Sequence, residues 1–149
     1  MPDVPFRYSS ADDSPGFLLW QATNRWQREQ RAALEPLNLT HVQYVVLAVG
    51  VWLSRRGEAV TQAQIAAEAR IDPMMASQVL RTLEDKGLVR RAPHPTDSRA
   101  KAVEVTDGGR ALAAQATQVV EDVDERFFAD AGPNLPVLIA ALRRLSRTP

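Results

Sequence analysis

The chain has 149 residues, 18 basic and 18 acidic, so its formal net charge is zero, and 45% of its residues are hydrophobic. That length fits one compact domain, or a small domain with extended dimerising arms, and the apolar share is enough for a core. The absence of cysteine removes disulfides and thiol redox sensing, and no apolar run nears the roughly 20 residues of a membrane span, so a reducing cytoplasm is the simplest setting.

Met1 to Ser14 is polar and proline-containing, a flexible arm with neither the basic start nor the apolar centre of a signal peptide. Ser14-Pro15 opens a helix through Phe17, Leu18, Leu19, Trp20, Ala22, Trp26 and Leu34 that ends at Pro36. Leu19, Ala22 and Trp26 share one face, and Arg25, Arg28, Glu29 and Arg31 fall on the wetter side. Two tryptophans exceed what a surface helix of this length carries: they pack against a partner chain, floor a pocket, or fill the core. Thr40 caps a second helix, with Val42, Val45, Val46, Val49, Trp52 and Leu53 on its buried side, ending near Arg56-Gly57. Apolar around most of its circumference, this helix lies between others.

Thr61 begins a shorter helix with Ile65, Ala66 and Ala69 apolar, and Asp72 caps the next, in which Pro73 suits the first turn. Ala76, Val79, Leu80 and Leu83 mark the buried side of that helix, and Met75, Gln78, Arg81 and Thr82 the opposite side. The two segments, 61–70 and 73–86, joined by a tight turn, read as helix-turn-helix. Gly87 closes the second. Leu88 to Arg91 is a short strand, Pro93 to Ser98 a turn-rich tip, and Lys101 to Val105 a returning strand with Val103 and Val105 on one face. The expectation is a two-stranded ribbon.

Thr106 caps a long helix from about Asp107 to Ala131, with an apolar stripe of Leu112, Ala116, Val119, Val120, Val123 and Phe127. Gly132-Pro133-Asn134 breaks it. Leu135, Leu138, Leu142 and Leu145 then recur at steps of three, four and three, a narrow seam suited to a partner helix.

Charge singles out the ribbon. Between Lys86 and Lys101 five cations, Lys86, Arg90, Arg91, Arg99 and Lys101, face the single acid Asp97, a local charge of +4 on a neutral chain. Such a concentration is the footprint of a nucleic-acid backbone, or a solvated hairpin whose charge serves solubility. The long helix and its end carry Asp107, Glu121, Asp122, Asp124, Glu125 and Asp130 against Arg110 and Arg126, a local charge of −4 unsuited to DNA.

The runs Leu83-Glu84-Asp85-Lys86-Gly87-Leu88-Val89-Arg90-Arg91 and Pro95-Thr96-Asp97-Ser98-Arg99-Ala100-Lys101, followed by Thr106-Asp107-Gly108-Gly109, resemble the MarR family of bacterial transcription regulators. The pattern of that family is a recognition helix ending in Leu-Glu-x-x-Gly-Leu, a wing with Asp-x-Arg-x-Lys, and Thr-x-x-Gly opening a long helix. The resemblance implies a mainly α fold with a small β-hairpin wing, in which residues 40–106 form the winged helix-turn-helix lobe. Residues 15–36 and 107–149 supply the helices of a homodimer. It implies no enzyme activity, no cofactor and no metal, and a homodimer on a pseudo-palindromic operator in double-stranded DNA, with repression as the default.

On that reading Pro73, Met74, Met75, Ser77, Gln78 and Arg81 enter the major groove. Gln78 suits adenine, Arg81 guanine or phosphate, Ser77 a phosphate or base edge, and the methionines thymine methyls. Family members often carry Thr, Ser or Arg where Met75 and Gln78 stand, so the operator sequence does not carry over. Arg99 resembles the family's minor-groove arginine, with Asp97 pairing its guanidinium. Arg90, Arg91, Lys101 and His94 are phosphate contacts. Dimerisation falls to Leu19, Trp26, Leu135, Leu138, Leu142 and Leu145. A small aromatic or phenolic effector would meet Trp20, Asn24, His41, Tyr44 and Trp52, each of which also fits ordinary packing or capping.

Other classes fare worse. There is no nucleophile elbow, phosphate-cradling glycine loop or His-Glu metal spacing, and His94, Asp97 and Ser98 crowd one tip without forming a triad. Two histidines and no cysteine disfavour a metal sensor. The rival is a winged-helix module that uses its ribbon to bind another protein.

Overall fold

A computed structural model describes residues 3–147; Met1 and Pro2 of the expected arm, and Thr148 and Pro149 at the other end, lie outside the described residues. Five of the six helices begin where the sequence supplies an oxygen for their first free amides. Ser14 Oγ accepts from Phe17 N at the start of α1 (Pro15–Leu34). Thr40 and Gln43 form a reciprocal capping box for α2 (His41–Ser54), and Thr61 and Gln64 do the same for α3 (Gln62–Ala69). Asp72 Oδ1 accepts from Met74 N at 2.8 Å and Met75 N at 3.3 Å to start α4 (Pro73–Asp85). Thr106 Oγ1 accepts from Gly109 N at 3.0 Å to start α5 (Asp107–Phe128). Gly132, at φ 52°, breaks the chain before α6 (Leu135–Leu145).

The ribbon is wider than the sequence suggests. Strands β2 (Val89–Pro93) and β3 (Lys101–Val105) form the expected hairpin, and β1 (Val60–Thr61) pairs antiparallel with the other edge of β3, giving the order β1-β3-β2. The third strand escapes a periodicity reading because two residues have no period; only pairing with Val103 and Ala102 makes them a strand. The register sets Val89 opposite Val105 and Arg91 opposite Val103. Val89, Val103 and Val105 are buried, while Arg90, Lys101 and Glu104 face water.

Helix α2 runs through the middle, packed against α3, α4, α5 and β3, with Val46 and Leu47 buried among Leu34, Ile65, Leu80 and Leu83. One residue of its expected buried side is a correction: Trp52 is 55% exposed, with the Arg55 guanidinium 5.3 Å from its ring centroid. The apolar arc is wider than the space that neighbouring helices cover: Leu53 is buried as expected, and Leu47, outside the expected set, is fully buried.

Helix α1 runs antiparallel to α5. Gln30 reaches the Val120 carbonyl, Trp26 reaches Asp124, and Arg25 lies over Phe127. Trp26 is therefore half-buried against its own chain, the packing alternative for this residue, and the rest of its surface stays open. Leu19 and Ala22 share its face yet are exposed, Leu19 at 57%, because α5 ends before reaching them. The first turns of α1 overhang the body, and α6 buries no residue.

Of the two glycines in the first turn of α5, only Gly109 is required by close packing. A β-carbon there would run into the Leu88 carbonyl and Val105, whereas one at Gly108 meets nothing nearer than Thr106 Oγ1 at 3.9 Å. Gly109→Ala should lower unfolding free energy in urea by about 1–3 kcal/mol through overpacking. Gly108→Ala should stay within about 1 kcal/mol of the parent or exceed it. Equal effects at the two sites would contradict the close approach.

Candidate nucleic-acid interface

Helix α4 divides along its length. Ala76, Val79, Leu80 and Leu83 are buried, Pro73, Met74, Met75, Gln78 and Arg81 are exposed, and Ser77 is half-buried. Met74 reaches 71% exposure beside a helix start, a placement that packing alone leaves without a reason. The first three turns of α4 thus offer two thioethers, an amide and a guanidinium on one open face.

The tip between β2 and β3 is folded by its own polar side chains. His94 Nδ1 accepts from Thr96 N and Asp97 N, both at 3.2 Å, which leaves the ring proton on Nε2 in the tautomer this network assigns. Asp97 Oδ1 accepts from Arg99 N at 3.0 Å. This corrects the expected pairing: Asp97 holds the backbone of Arg99 and leaves its guanidinium to solvent. Arg99 and Lys101 are exposed, and neither forms an ion pair among the described residues. Arg90 pairs with Glu104 at 3.3 Å, both largely exposed, a contact of small energy that a phosphate can replace.

Arg91 is the second correction. Its side chain is 11% exposed, with Nη2 3.4 Å from Glu84 Oε1 and Nη1 3.3 Å from Gln62 Oε1. Glu84 Oε2 also accepts from Arg91 N at 2.9 Å. Arg91 ties the ribbon to α4 and α3, so its guanidinium is spent inside the protein instead of reaching a phosphate. Lys86 is similarly occupied, donating to the Asn38 carbonyl at 2.6 Å and Gln43 Oε1 at 3.1 Å. Glu84 and Gln62 went unnoticed in the sequence because their partner is remote; the only local trace was Glu84 in the Leu-Glu-x-x-Gly-Leu run.

The five expected effector residues do not converge. His41 sits edge-on to Trp26 at 5.0 Å, and the Tyr44 hydroxyl lies 3.3 Å from Thr117 Oγ1. Trp20 and Asn24 are exposed on α1. Trp52 lies eleven residues along α2 from His41, about 16 Å at the helical rise, beyond the reach of one small ligand. Beside His41, Asp124 Oδ1 takes both Trp26 Nε1 at 2.7 Å and Gln30 Nε2 at 2.8 Å, and the fully buried Gln30 keeps one oxygen unpartnered. Burial pushes the His41 imidazole below its usual value, Asp124 opposes that, and Arg31 adds to it.

Two outcomes follow from these contacts. Arg91→Ala should cost about 1–3 kcal/mol in urea unfolding, the scale of hydrogen bonds to a charged group, while Arg90→Ala should cost well under 1 kcal/mol. Comparable costs would remove Arg91 from its bracing role. For His41 the lowered value means that the unfolded chain binds the proton more readily, so stability is present above pH 6.5 and falls as pH drops through it toward the folded value. His41→Gln should flatten that part of the stability profile; an unchanged profile would contradict the assignment.

Comparison with known proteins gives one consistent result. Residues 39–101 match the model described as the MarR family. The HTH-type transcriptional regulator YdcH of Bacillus subtilis is 42% identical over 125 residues, 84% of this chain and 85% of that protein. The HTH-type transcriptional repressor Rv2887 of Mycobacterium tuberculosis is 36% identical over 120 residues, 80% of this chain and 84% of that protein. CouR of Rhodococcus jostii RHA1, solved with p-coumaroyl-CoA, is 29% identical with a TM-score of 0.80, covering 93% of each chain. CouR bound to a 23-mer DNA duplex aligns at 26% identity and a TM-score of 0.82, covering 97% of this chain and all of that one. Helix-turn-helix, three-stranded wing and flanking helices, together with relatives matching over more than four-fifths of the chain, establish that this protein belongs to the MarR family of transcriptional regulators.

Proposed function

We propose that this chain is a ligand-responsive repressor that binds double-stranded DNA as a homodimer in the cytoplasm. The observation that carries the reading is the pairing of an open α4 face with an exposed, uncompensated Arg99 and Lys101 on a tip locked to that helix. Pro73, Met74, Met75, Ser77, Gln78 and Arg81 face the bases of the major groove, and Arg99 enters the minor groove. Lys101 and Arg90 meet phosphates, His94 and Asp97 shape the tip, and Arg91 holds the wing at its angle. Residues 40–106 form the DNA-reading lobe, and 15–36 with 107–149 form the body that pairs.

Pairing is supported by what the single chain leaves uncovered: Leu19 at the overhang of α1, and Leu142 and Leu145 on α6, with Leu135 and Leu138 only half-covered. The DNA-bound and p-coumaroyl-CoA-bound forms of CouR support a duplex target and an aromatic effector. Such an effector acts only by favouring the arrangement that does not fit DNA. It would bind around His41 and Tyr44, with Trp20 and Asn24 reaching it across the dimer.

Selection of bound genomic fragments with purified protein should yield a pseudo-palindrome with half-sites about one helical turn apart. Arg99→Ala should weaken binding to that site by about 1–3 kcal/mol, with unfolding unchanged. Parental affinity in the variant would remove the wing tip from recognition, and retention of no duplex at low salt would favour a wing that binds protein.

A further inference from the structure

The first turn of α4 concentrates the sulfur of this chain. The sequence holds no cysteine and three methionines, and two of the three, Met74 and Met75, stand side by side after Pro73. Met74 is 71% exposed and Met75 47%, although a thioether ordinarily fills gaps in a core. The backbone beneath them is fully committed. Pro73 has no N–H, Asp72 Oδ1 accepts from Met74 N and Met75 N, and the Asp72 carbonyl accepts from Ala76 N at 2.9 Å. An acceptor added to either methionine side chain therefore finds no free amide from residue 73 to residue 76.

We propose that Met74 and Met75 form an oxidation site, at which a hydroperoxide converts both thioethers to sulfoxides and thereby loosens the protein from its operator. The inference rests on the reading of α4 as the base-facing helix given above and adds a chemical control to it. At each sulfur a lone pair attacks the outer oxygen of the hydroperoxide, so that an S–O bond forms and the O–O bond breaks. The proton of the peroxide passes through water to the departing alkoxide, which leaves as an alcohol; sulfur gives up two electrons and the peroxide takes them. The product is polar where the reactant was apolar. Acceptors outnumber donors on the major-groove edge of every base pair, and phosphate oxygens flank the groove. A sulfoxide oxygen pressed into that surface meets mostly atoms of its own partial charge and is left without a donor. Folding is spared, because the buried residues of α4, Ala76, Val79, Leu80 and Leu83, contain no sulfur. A thiol-dependent reductase returns each sulfoxide to the thioether with loss of water, which gives a chain without thiols a reversible redox control.

Full-length protein is treated with hydrogen peroxide or cumene hydroperoxide, and peptide mass spectrometry is read beside titration of the selected operator fragment. One added oxygen on each of Met74 and Met75, a dissociation constant raised about tenfold or more, and an unchanged urea midpoint are expected. The two methionine sulfoxide reductases, one for each epimer, should restore the affinity. Met74→Leu/Met75→Leu, which keeps Met1, should show the same affinity before and after peroxide, at whatever level the substitution itself sets. Parental affinity in protein that carries both sulfoxides would overturn the proposal. So would methionines that stay reduced at peroxide levels that convert free methionine, an equal loss in the leucine variant, or a loss that comes with a lowered urea midpoint. The reading of α4 fails separately. A reduced parent that retains no duplex at low salt refutes that reading and the control with it, whereas reduced and oxidised forms that bind equally well refute the control alone.

Discussion

The carbonyl of Leu88 is where the helix-turn-helix half of this protein is fastened to α5. Thr106 N donates to it at 3.0 Å and Thr106 Oγ1 at 3.1 Å, and the same hydroxyl reaches the Gly87 carbonyl at 2.8 Å. Gly109 then packs directly over it. One backbone oxygen thereby joins the end of α4, the base of the ribbon and the start of α5. With Arg91 held by Glu84 and Gln62 on the other side, wing and α4 form a single rigid head. Rigidity matters because a head whose parts are preset loses less entropy on docking than one that orders on contact.

A second fastening lies at the opposite end of α5. Asp124 collects Trp26 and Gln30 from α1 and stands near His41, the first residue of α2. The acid belongs at once to the packing of α1 and to the rim of an apolar groove between α5 and α6. Helix α5 thus carries the wing junction at its start and the proposed dimer junction at its end. In the proposed homodimer a shift of the paired body would travel along this one helix to the two heads, which is the mechanical requirement for an effector to alter half-site spacing.

Much of this was legible in the sequence because the signals are local. Ser14, Thr40, Thr61, Asp72 and Thr106 each mark a helix start by a contact within three residues. The wing hairpin was legible from Gly87 and the alternation of Val103 and Val105. What stayed hidden depends on where other elements end. A helical wheel places Leu19 with Trp26 on one face but cannot show that α5 stops between them. It cannot show that neighbouring helices leave Trp52 open either. Arg91 was misread because an arginine in a basic ribbon looks like its exposed neighbours, and its burial is set by Glu84 and Gln62 on other elements. The Asp97 to Arg99 contact was anticipated between the correct residues and found on the backbone instead of the guanidinium, as short Asx turns often arrange.

In the proposed complex two rigid heads present exposed cations to one duplex. On α4 and the wing of each head, Arg81, Arg99 and Lys101 are exposed and form no ion pair among the described residues. The most direct measurement is a titration of the selected operator duplex at a series of salt concentrations, with stoichiometry read from the same curves. Two subunits per duplex and a log–log slope of about −5 or steeper are predicted, from three cations per head that displace counterions from the duplex at about 0.9 each. A slope near zero, or one subunit per duplex, would contradict the account.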